Sequence, residues 1–380
     1  MDNLLRQKSR AWAEIDLLKL EGNVNIFKSK LLGNTELMTV VKTNAYGHGE
    51  TQICAKLSEL GIKHYGVITL DEAINTRCVV KSGEILILGY VPPEYVAELS
   101  EYDLIQGIIS LEHAERLSYK AVKPVRCHIK IDTGMNRVGL KHRNYHECAD
   151  EIVKIIRMKN LRVEGIYTHY ASAGSPDESD IAFTDSQTDF ILAVYNELMS
   201  RNIFLPHVHF LNSAGILYNN SPKSTLARVG ISLFGLSSNY ERDKGHNGLE
   251  TFLELKAVIS QVKTVHKGDS ISYGRTFTVE NEMKIASLTI GYADGYSRAL
   301  SNKGEVLVHG MRCKVVGRVC MDQMMVDVSK VPYVRAGDVA TLIGRDGNEE
   351  IRADWLGSMY GTIPQEVVCG ITGRIPRVYV

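Results

Sequence analysis

A lysine that closes an apolar, β-branched run stands where an amine can do covalent chemistry, and Lys42 closes "ELMTVV" (36–41). Such a run has the composition of a strand covered on both faces, so the residue after it emerges at a strand end. A partly desolvated ammonium there has a lowered pKa and can form a Schiff base with an aldehyde cofactor. The bland alternative is a strand-end lysine that snorkels into water. Other polar groups fall at comparable places after later apolar runs, namely Asp132 and Arg137, His169, Asn212 and Ser213, with Arg228 and Gly230 at the last of them. "NSAG" (212–215) supplies a hydroxyl, and "RVGIS" (228–232) a glycine that permits close backbone approach. Barrel enzymes often hold a phosphate with such groups. "HVH" (207–209) puts two imidazoles on one strand face, yet without a carboxylate or further histidine it makes no metal site. Cys320 reads as a packed thiol. Tyr273 and Tyr292 are two of 18 tyrosines, and by residue type alone they read as core or rim.

These groups need elements to carry them. Apolar runs of strand character occur near 37–42, 65–69, 85–89, 105–109, 126–131, 162–168, 207–211 and 226–230. Segments with helical spacing, such as "TQICAKLSELG" and "SQTDFILAVYNELMSRN", separate most of them. Eight strands alternating with helices match the rhythm of a (β/α)8 barrel, whose catalytic face lies at the C-terminal strand ends. A doubly wound open sheet produces the same local patterns. Beyond residue 236 the texture changes: "SSNYERDKGHNGLE" is polar and turn-rich, and strand-like runs follow with almost no helical period. The expected organisation is a barrel over 14–240 and a mainly antiparallel β domain over 241–380, with residues 1–13 packing against the latter.

Composition limits the partners. Lys plus Arg and Asp plus Glu number 44 each, so nothing announces nucleic acid or an anionic membrane. Seven cysteines with no C-x-x-C pair suggest reduced thiols in a cytoplasm-like compartment. No run approaches the roughly 18 apolar residues of a membrane span, and "MDNLLRQKSR" lacks a secretory apolar core.

As an ordered set, "AWAEIDL", "VVKTNAYGHG", "IKIDTGMNRVG", "GIYTHYASA", "NSAG", "ARVGISLFG", "SYGRTF", "IGYADGY", "GRVCMDQMMVD" and "GTIPQEVVCGITGRIPRVYV" resemble the alanine racemase family across nearly the whole chain. The resemblance implies a (β/α)8 barrel followed by a β-rich domain, pyridoxal 5'-phosphate as cofactor, and a homodimer with composite active sites. It implies that Lys42 holds the cofactor covalently and acts as base on one substrate face, with Tyr273 as base on the other. His169 would bond that tyrosine and Arg228 would face the pyridine nitrogen. Tyr46, Ser213, Gly230 and Ile231 would bind the phosphate. Arg137 and the Met321 backbone N–H would orient the substrate carboxylate, Tyr292 would narrow the entrance, and a carbamylated Lys130 would steady Arg137.

The chemistry agrees with those roles. Racemisation needs two proton-handling groups flanking one planar carbanion, and lysine and tyrosine have pKa values that cations or desolvation can lower. Arginine against the ring nitrogen keeps it unprotonated, which weakens the electron sink and discourages transamination. A pyridoxal-phosphate homeostasis protein would lack the β domain with Tyr273, Tyr292 and Met321. A barrel-type decarboxylase would place a carboxylate where Arg228 stands.

The sequence departs from the family pattern where "TIPQE" puts Gln365 in place of a tyrosine that lines the side-chain pocket, and Asn136 in place of a glycine. With "RQKSRAWAEIDL", these departures resemble the racemase domains of vancomycin-resistance serine racemases, which are tethered to a membrane domain. The expectation is therefore an enzyme interconverting L and D forms of serine and alanine for peptidoglycan precursors, with strict alanine racemisation as the alternative. It would work in the cytoplasm, free or as the cytoplasmic domain of a membrane-anchored protein.

Overall fold

The computed structural model describes residues 9–237 and 248–380, which form two units. One comprises residues 24–45 and 50–233. The other comprises the residues up to 23, the loop 46–49 and those from 234 onward. The expected polar linker falls largely on 238–247 and part of the expected N-terminal addition on 1–8, outside the described residues.

Strand β1 (Ala11–Ile15) belongs to the second unit and is followed by α1 (Leu17–Lys30). Eight parallel strands then build the first unit: β2 (Glu36–Val40), β3 (His64–Val67), β4 (Glu84–Ile87), β5 (Ile105–Ile108), β6 (Val125–Lys130), β7 (Leu161–Tyr167), β8 (His207–His209) and β9 (Leu226–Val229). Each corresponds to one apolar run of the sequence. They pair in the order β8-β7-β6-β5-β4-β3-β2-β9. At the seam, Thr225 N–H donates to Val208 O (2.8 Å) and Arg228 N–H to Leu211 O (3.0 Å), so the sheet is a nearly closed barrel. The open doubly wound alternative is thereby set aside.

Most of these strands are buried along their length, which is why apolar residues dominate many of them. The helices between them are α2 (Glu50–Glu59), α3 (Leu70–Val79), α4 (Val96–Glu101), α5 (Leu111–Lys120), α6 (Tyr145–Ile156), α7 (Glu178–Ser200) and α8 (Ser213–Tyr218). Short polar side chains start several of them: Thr69 and Glu72 form a reciprocal cap on α3, Ser110 caps α5 and Asn144 caps α6. Such caps fix where each loop ends, and hence where the side chains at the strand ends lie.

The second unit is mainly β. Its strands are β1, β10 (Leu253–Val265), β11 (Ser270–Ile271), β12 (Phe277–Thr278), β13 (Met283–Leu288), β14 (Glu305–Val308), β15 (Met311–Lys314), β16 (Met324–Asp327), β17 (Val339–Asp346), β18 (Glu349–Ile351) and β19 (Arg377–Tyr379). The principal path is β15-β14-β17-β10-β1-β19, with β13 also pairing β10. Strand β1 runs antiparallel to β10, Ala13 opposite Leu255, and parallel to β19, Glu14 opposite Val378. Helices α9 (Ala353–Tyr360) and α10 (Pro364–Cys369) precede β19. No helix among the described residues is long and apolar enough to cross a membrane.

Candidate active site

The chain leaves β2 through an unusual turn. Val41 N–H donates to Gly66 O (2.9 Å), extending the pairing one residue beyond the strand, and half-buried Lys42 follows. Then Thr43, Asn44, Ala45 and Tyr46 take φ of 55, 53, 51 and 52°. Four successive non-glycine residues are left-handed, at about 1–2 kcal/mol each. Neighbours hold them there: Thr43 N–H donates to Glu72 Oε1 (2.7 Å), Glu50 N–H to Asn44 Oδ1 (2.8 Å) and Ala45 N–H to Val41 O (2.9 Å). Strain of this kind persists only where the surroundings over-determine it, and it clusters at functional positions. Tyr46 is buried in the second unit with its ring 5.2 Å from that of Phe234.

Arg228, on β9 beside β2, is 3% exposed and thoroughly bonded. Its Nη1 donates to His209 Nδ1 (2.7 Å) and its Nη2 to Thr168 O (2.6 Å), with His169 Nδ1 at 3.5 Å. Burial pushes its pKa down to about 10, which leaves it cationic at neutral pH. Burial also drives His169 well below the ordinary imidazole value, and the Arg228 charge adds to the effect, so this ring is neutral. The backbone carrying His169 is pinned by a group the sequence reading did not single out. Gln187 of α7 donates through Nε2 to His169 O (3.2 Å) and to Thr133 Oγ1 (2.9 Å), and its Oε1 accepts from Ala171 N–H (3.0 Å). A glutamine mid-helix carries no sequence signal for this role.

Lys130, the last residue of β6, is 5% exposed, with its ammonium 5.1 Å from the Tyr167 ring centroid. Burial and the nearby Arg228 and Arg137 charges push its pKa down to about 7. Arg137 lies exposed in the following loop, whose shape Asp132 sets: its Oδ1 accepts the N–H groups of Gly134 and Asn136, each at 3.0 Å. Asn136 sits at φ 53°, a conformation asparagine tolerates, which accounts for its standing where the family pattern has glycine.

Beyond β8, Asn212 caps α8 by accepting Gly215 N–H (2.8 Å), and beyond β9 the Gly230 N–H donates to Ser213 Oγ (2.9 Å). Gly230 and Ile231 are buried and Ser213 is half-buried. The barrel unit thus gathers Lys42, Lys130, His169, Ser213, Arg228, Gly230 and Ile231 at the C-terminal ends of its strands, with Arg137 in the loop after β6.

The second unit gathers the remainder. Tyr273 is 73% exposed, on a turn whose neighbours Ser272, Gly274 and Arg275 take φ of 66, 71 and 50°. Ser272 Oγ donates to Arg318 O (2.7 Å) and lies 3.4 Å from Cys320 Sγ. That ties the Tyr273 turn to the segment carrying Met321. Tyr292 N–H donates to Cys320 O (3.0 Å) and Ala293 N–H to Met321 O (3.1 Å), so Tyr292 joins the group. Met321 is 53% and Tyr292 41% exposed, whereas Gln365 is half-buried in α10. Among the described residues no group of three or more His, Cys, Asp or Glu could hold a metal ion.

The donor chemistry of the barrel residues fits pyridoxal phosphate. The cofactor brings an aldehyde, a phosphate and a ring nitrogen. Lys42 offers an amine at a strand end, Ser213 and the loop at Gly230 offer a hydroxyl and backbone N–H groups, and Arg228, a donor with no acceptor atom, suits an unprotonated ring nitrogen.

Comparison with known proteins follows the same division. Residues 15–238 match the family described as alanine racemase, N-terminal domain, and residues 252–379 that described as alanine racemase, C-terminal domain. The chain is 38% identical to an alanine racemase of Methanococcus maripaludis, over 97% of this chain and 98% of the relative. It is 41% identical to one of Halothermothrix orenii, over 97% and 96%. Its fold is similar to the crystal structure of alanine racemase from Bacillus anthracis with bound L-Ala-P, with a TM-score of 0.90 and 34% identity over 98% of this chain and 95% of that one. The structure from E. faecalis gives a TM-score of 0.89, also at 34% identity.

Proposed function

The chain belongs to the alanine racemase family of pyridoxal-phosphate enzymes, and we propose that it interconverts L- and D-alanine with two bases, Lys42 and Tyr273, and accepts serine as a second substrate. Alanine takes first place over the serine-and-alanine expectation because the relatives compared above carry the alanine name. Serine rests on Gln365 alone. No observation here supports an attached membrane domain or a link to vancomycin resistance.

The observation that carries the reading is the pairing of β2 with β9, Met38 opposite Arg228, which puts the strained Lys42 turn and a buried, donor-only arginine at adjacent strand ends. The cofactor, when bound, would supply an electron sink for the substrate Cα. The chain's own groups do the rest. The Lys42 amine takes or returns the proton on one face, and the Tyr273 hydroxyl does so on the other. Arg228 donates to the ring nitrogen and, having no proton to lose near neutral pH, leaves that nitrogen unprotonated. Ser213, Gly230 and Ile231 would hold the phosphate. Arg137 and the Met321 N–H orient the substrate carboxylate. An arginine rather than a carboxylate at Arg228 supports racemisation over decarboxylation. D-Alanine made this way suits peptidoglycan precursors.

The test is Lys42→Ala. The parent protein should be yellow, carry a borohydride-reducible cofactor link and racemise alanine; the variant should lack the link and the racemisation. A fully active Lys42→Ala protein sinks the proposal.

A further inference from the structure

Behind Arg228 the barrel interior holds four imidazoles in file. His209 and His128 have ring centroids 5.1 Å apart, His128 and His207 5.4 Å, and His207 and His64 5.8 Å. They come from β8, β6 and β3, and Gly165 of β7 makes room for them. A Cβ at Gly165 would lie 2.8 Å from the His207 Cβ and 3.2 Å from the His128 Cε1. Barrel interiors are usually filled by branched apolar side chains, and buried imidazoles are expensive unless their hydrogen bonds are directed to a purpose.

The direction of those bonds follows from elementary chemistry. Arginine only donates, so His209 Nδ1, 2.7 Å from Arg228 Nη1, must accept. Burial holds His209 far below the ordinary value and pushes His128 down to about 3, so both rings are neutral. The one ring proton of His209 therefore sits on Nε2 and is donated to His128 Nδ1 at 2.9 Å. His128 in turn carries its proton on Nε2. The Tyr167 ring, 4.9 Å from His209 and inclined by 8°, stacks on it and bars rotation. Arg228 is thus gripped by a string of hydrogen bonds that can run in one direction only.

We propose that His209, with His128 behind it, is a positioning residue for Arg228, fixing the orientation of the guanidinium and thereby the ratio of racemisation to transamination. The inference rests on the proposed racemase reading and adds a determinant of its reaction specificity. In the competing transamination, the substrate's amino group and the electron pair of its Cα–H bond pass to the cofactor aldehyde. The aldehyde carbon is reduced to an aminomethyl group and Cα is oxidised to the carbonyl of a 2-oxo acid, so no outside oxidant is needed. A loosened arginine lets the ring nitrogen take a proton and deepens the electron sink that this route uses.

Two amide substitutions separate positioning from packing. His209→Asn keeps an acceptor near the Nδ1 place, facing Arg228. His209→Gln moves the amide to the Nε2 place and leaves the arginine without its acceptor. In the cofactor-loaded protein, His209→Gln should raise the yield of 2-oxo acid per racemisation turnover on the order of tenfold, with matching loss of the aldehyde absorbance, while His209→Asn stays near the parent. Nitrogen NMR of ring-labelled cofactor should report a more protonated ring nitrogen in His209→Gln alone. His128→Leu, which removes the second link, should fall between the two. Equal ratios and equal ring-nitrogen signals in an active parent and all variants overturn this inference alone. A parent that binds the cofactor but does not racemise overturns the reading beneath it, and this inference with it.

Discussion

Gln365 sits half-buried in α10, where the family pattern has a tyrosine. An amide is smaller than a phenol and has both a donor and an acceptor, so on the proposed reading the pocket would admit and bond a serine hydroxyl and still take alanine. A pocket that merely tolerates a hydroxyl discriminates weakly, on the order of a hundredfold at most. Gln365→Tyr should therefore lower serine turnover more than alanine turnover, by about 1–3 kcal/mol of transition-state stabilisation, read as the serine-to-alanine ratio of kcat/KM. An unchanged ratio leaves plain alanine racemisation. Lys130 gives a second expectation at this scale. With its pKa pushed down to about 7, much of it is a neutral amine above that pH, the form that attacks carbon dioxide. Labelled bicarbonate should give a carbamate carbon signal at pH 8–9 that fades as the pH falls below about 7 and is missing in Lys130→Met. A signal indifferent to that substitution assigns the carbamate elsewhere. Lys42 and Ser213 stand out in the sequence because each follows an apolar run, whereas Arg228 lies within one and its role came from the family resemblance. His209 and His128 do not: "HVH" suggested only a shared strand face, and the partner on β6 stands 81 positions away in the chain.

The barrel strands could be read from short, mainly apolar runs alternating with helical segments, although β6 (VRCHIK) and β8 (HVH) carry polar side chains into the barrel. The left-handed turn after β2 could not, because Thr43, Asn44, Ala45 and Tyr46 include no glycine and tertiary hydrogen bonds impose their conformation. Nor could the charge cluster at the N-terminal strand ends. There Glu84 opens β4 between His64 of β3 and Arg126 of β6, with its Oε2 3.1 Å from His64 Nδ1 and its Oε1 accepting from Arg126. The His64 hydrogen bond leads in pulling its pKa from 4.5 to about 2, against the opposing effect of burial. A depressed carboxyl pKa stabilises the fold above the unfolded value, and that stability is lost as the pH falls through the folded one. Relative to Glu84→Gln, the parent should hold an advantage of up to about 3 kcal/mol at neutral pH, shrinking between pH 4.5 and about 2. Urea unfolding across that range measures it, and a difference independent of pH would assign the effect to packing instead. Conserved activity at neutral pH is expected in the variant, because this end of a barrel serves stability.

At the scale of the molecule, each unit carries an incomplete set of groups. The barrel unit holds Lys42, Arg228 and the phosphate-binding candidates Ser213, Gly230 and Ile231, whereas Tyr273 lies in the other unit. The β-rich unit displays Tyr273, Tyr292 and Met321 on its surface, at 73, 41 and 53% exposure. Aromatic and methionine side chains exposed together are characteristic of protein interfaces, where burial repays their hydration. A two-fold homodimer in which the β-rich unit of one copy completes the barrel site of the other uses both sets at once, and symmetry then makes two sites from one kind of contact. The consequence can be measured by mixing. Lys42→Ala and Tyr273→Ala should each be nearly inactive as pure dimers, since every site in either lacks a base. After subunit exchange, a hybrid dimer contains one site lacking both residues and one site lacking neither, so random reassortment of equal amounts makes about half of the dimers hybrids with one intact site each. Roughly a quarter of parental activity should return, with a time course set by subunit exchange and not by cofactor binding. If differently tagged subunits are shown to form hybrids and activity does not return, Lys42 and Tyr273 act within one chain and the composite-site arrangement is wrong.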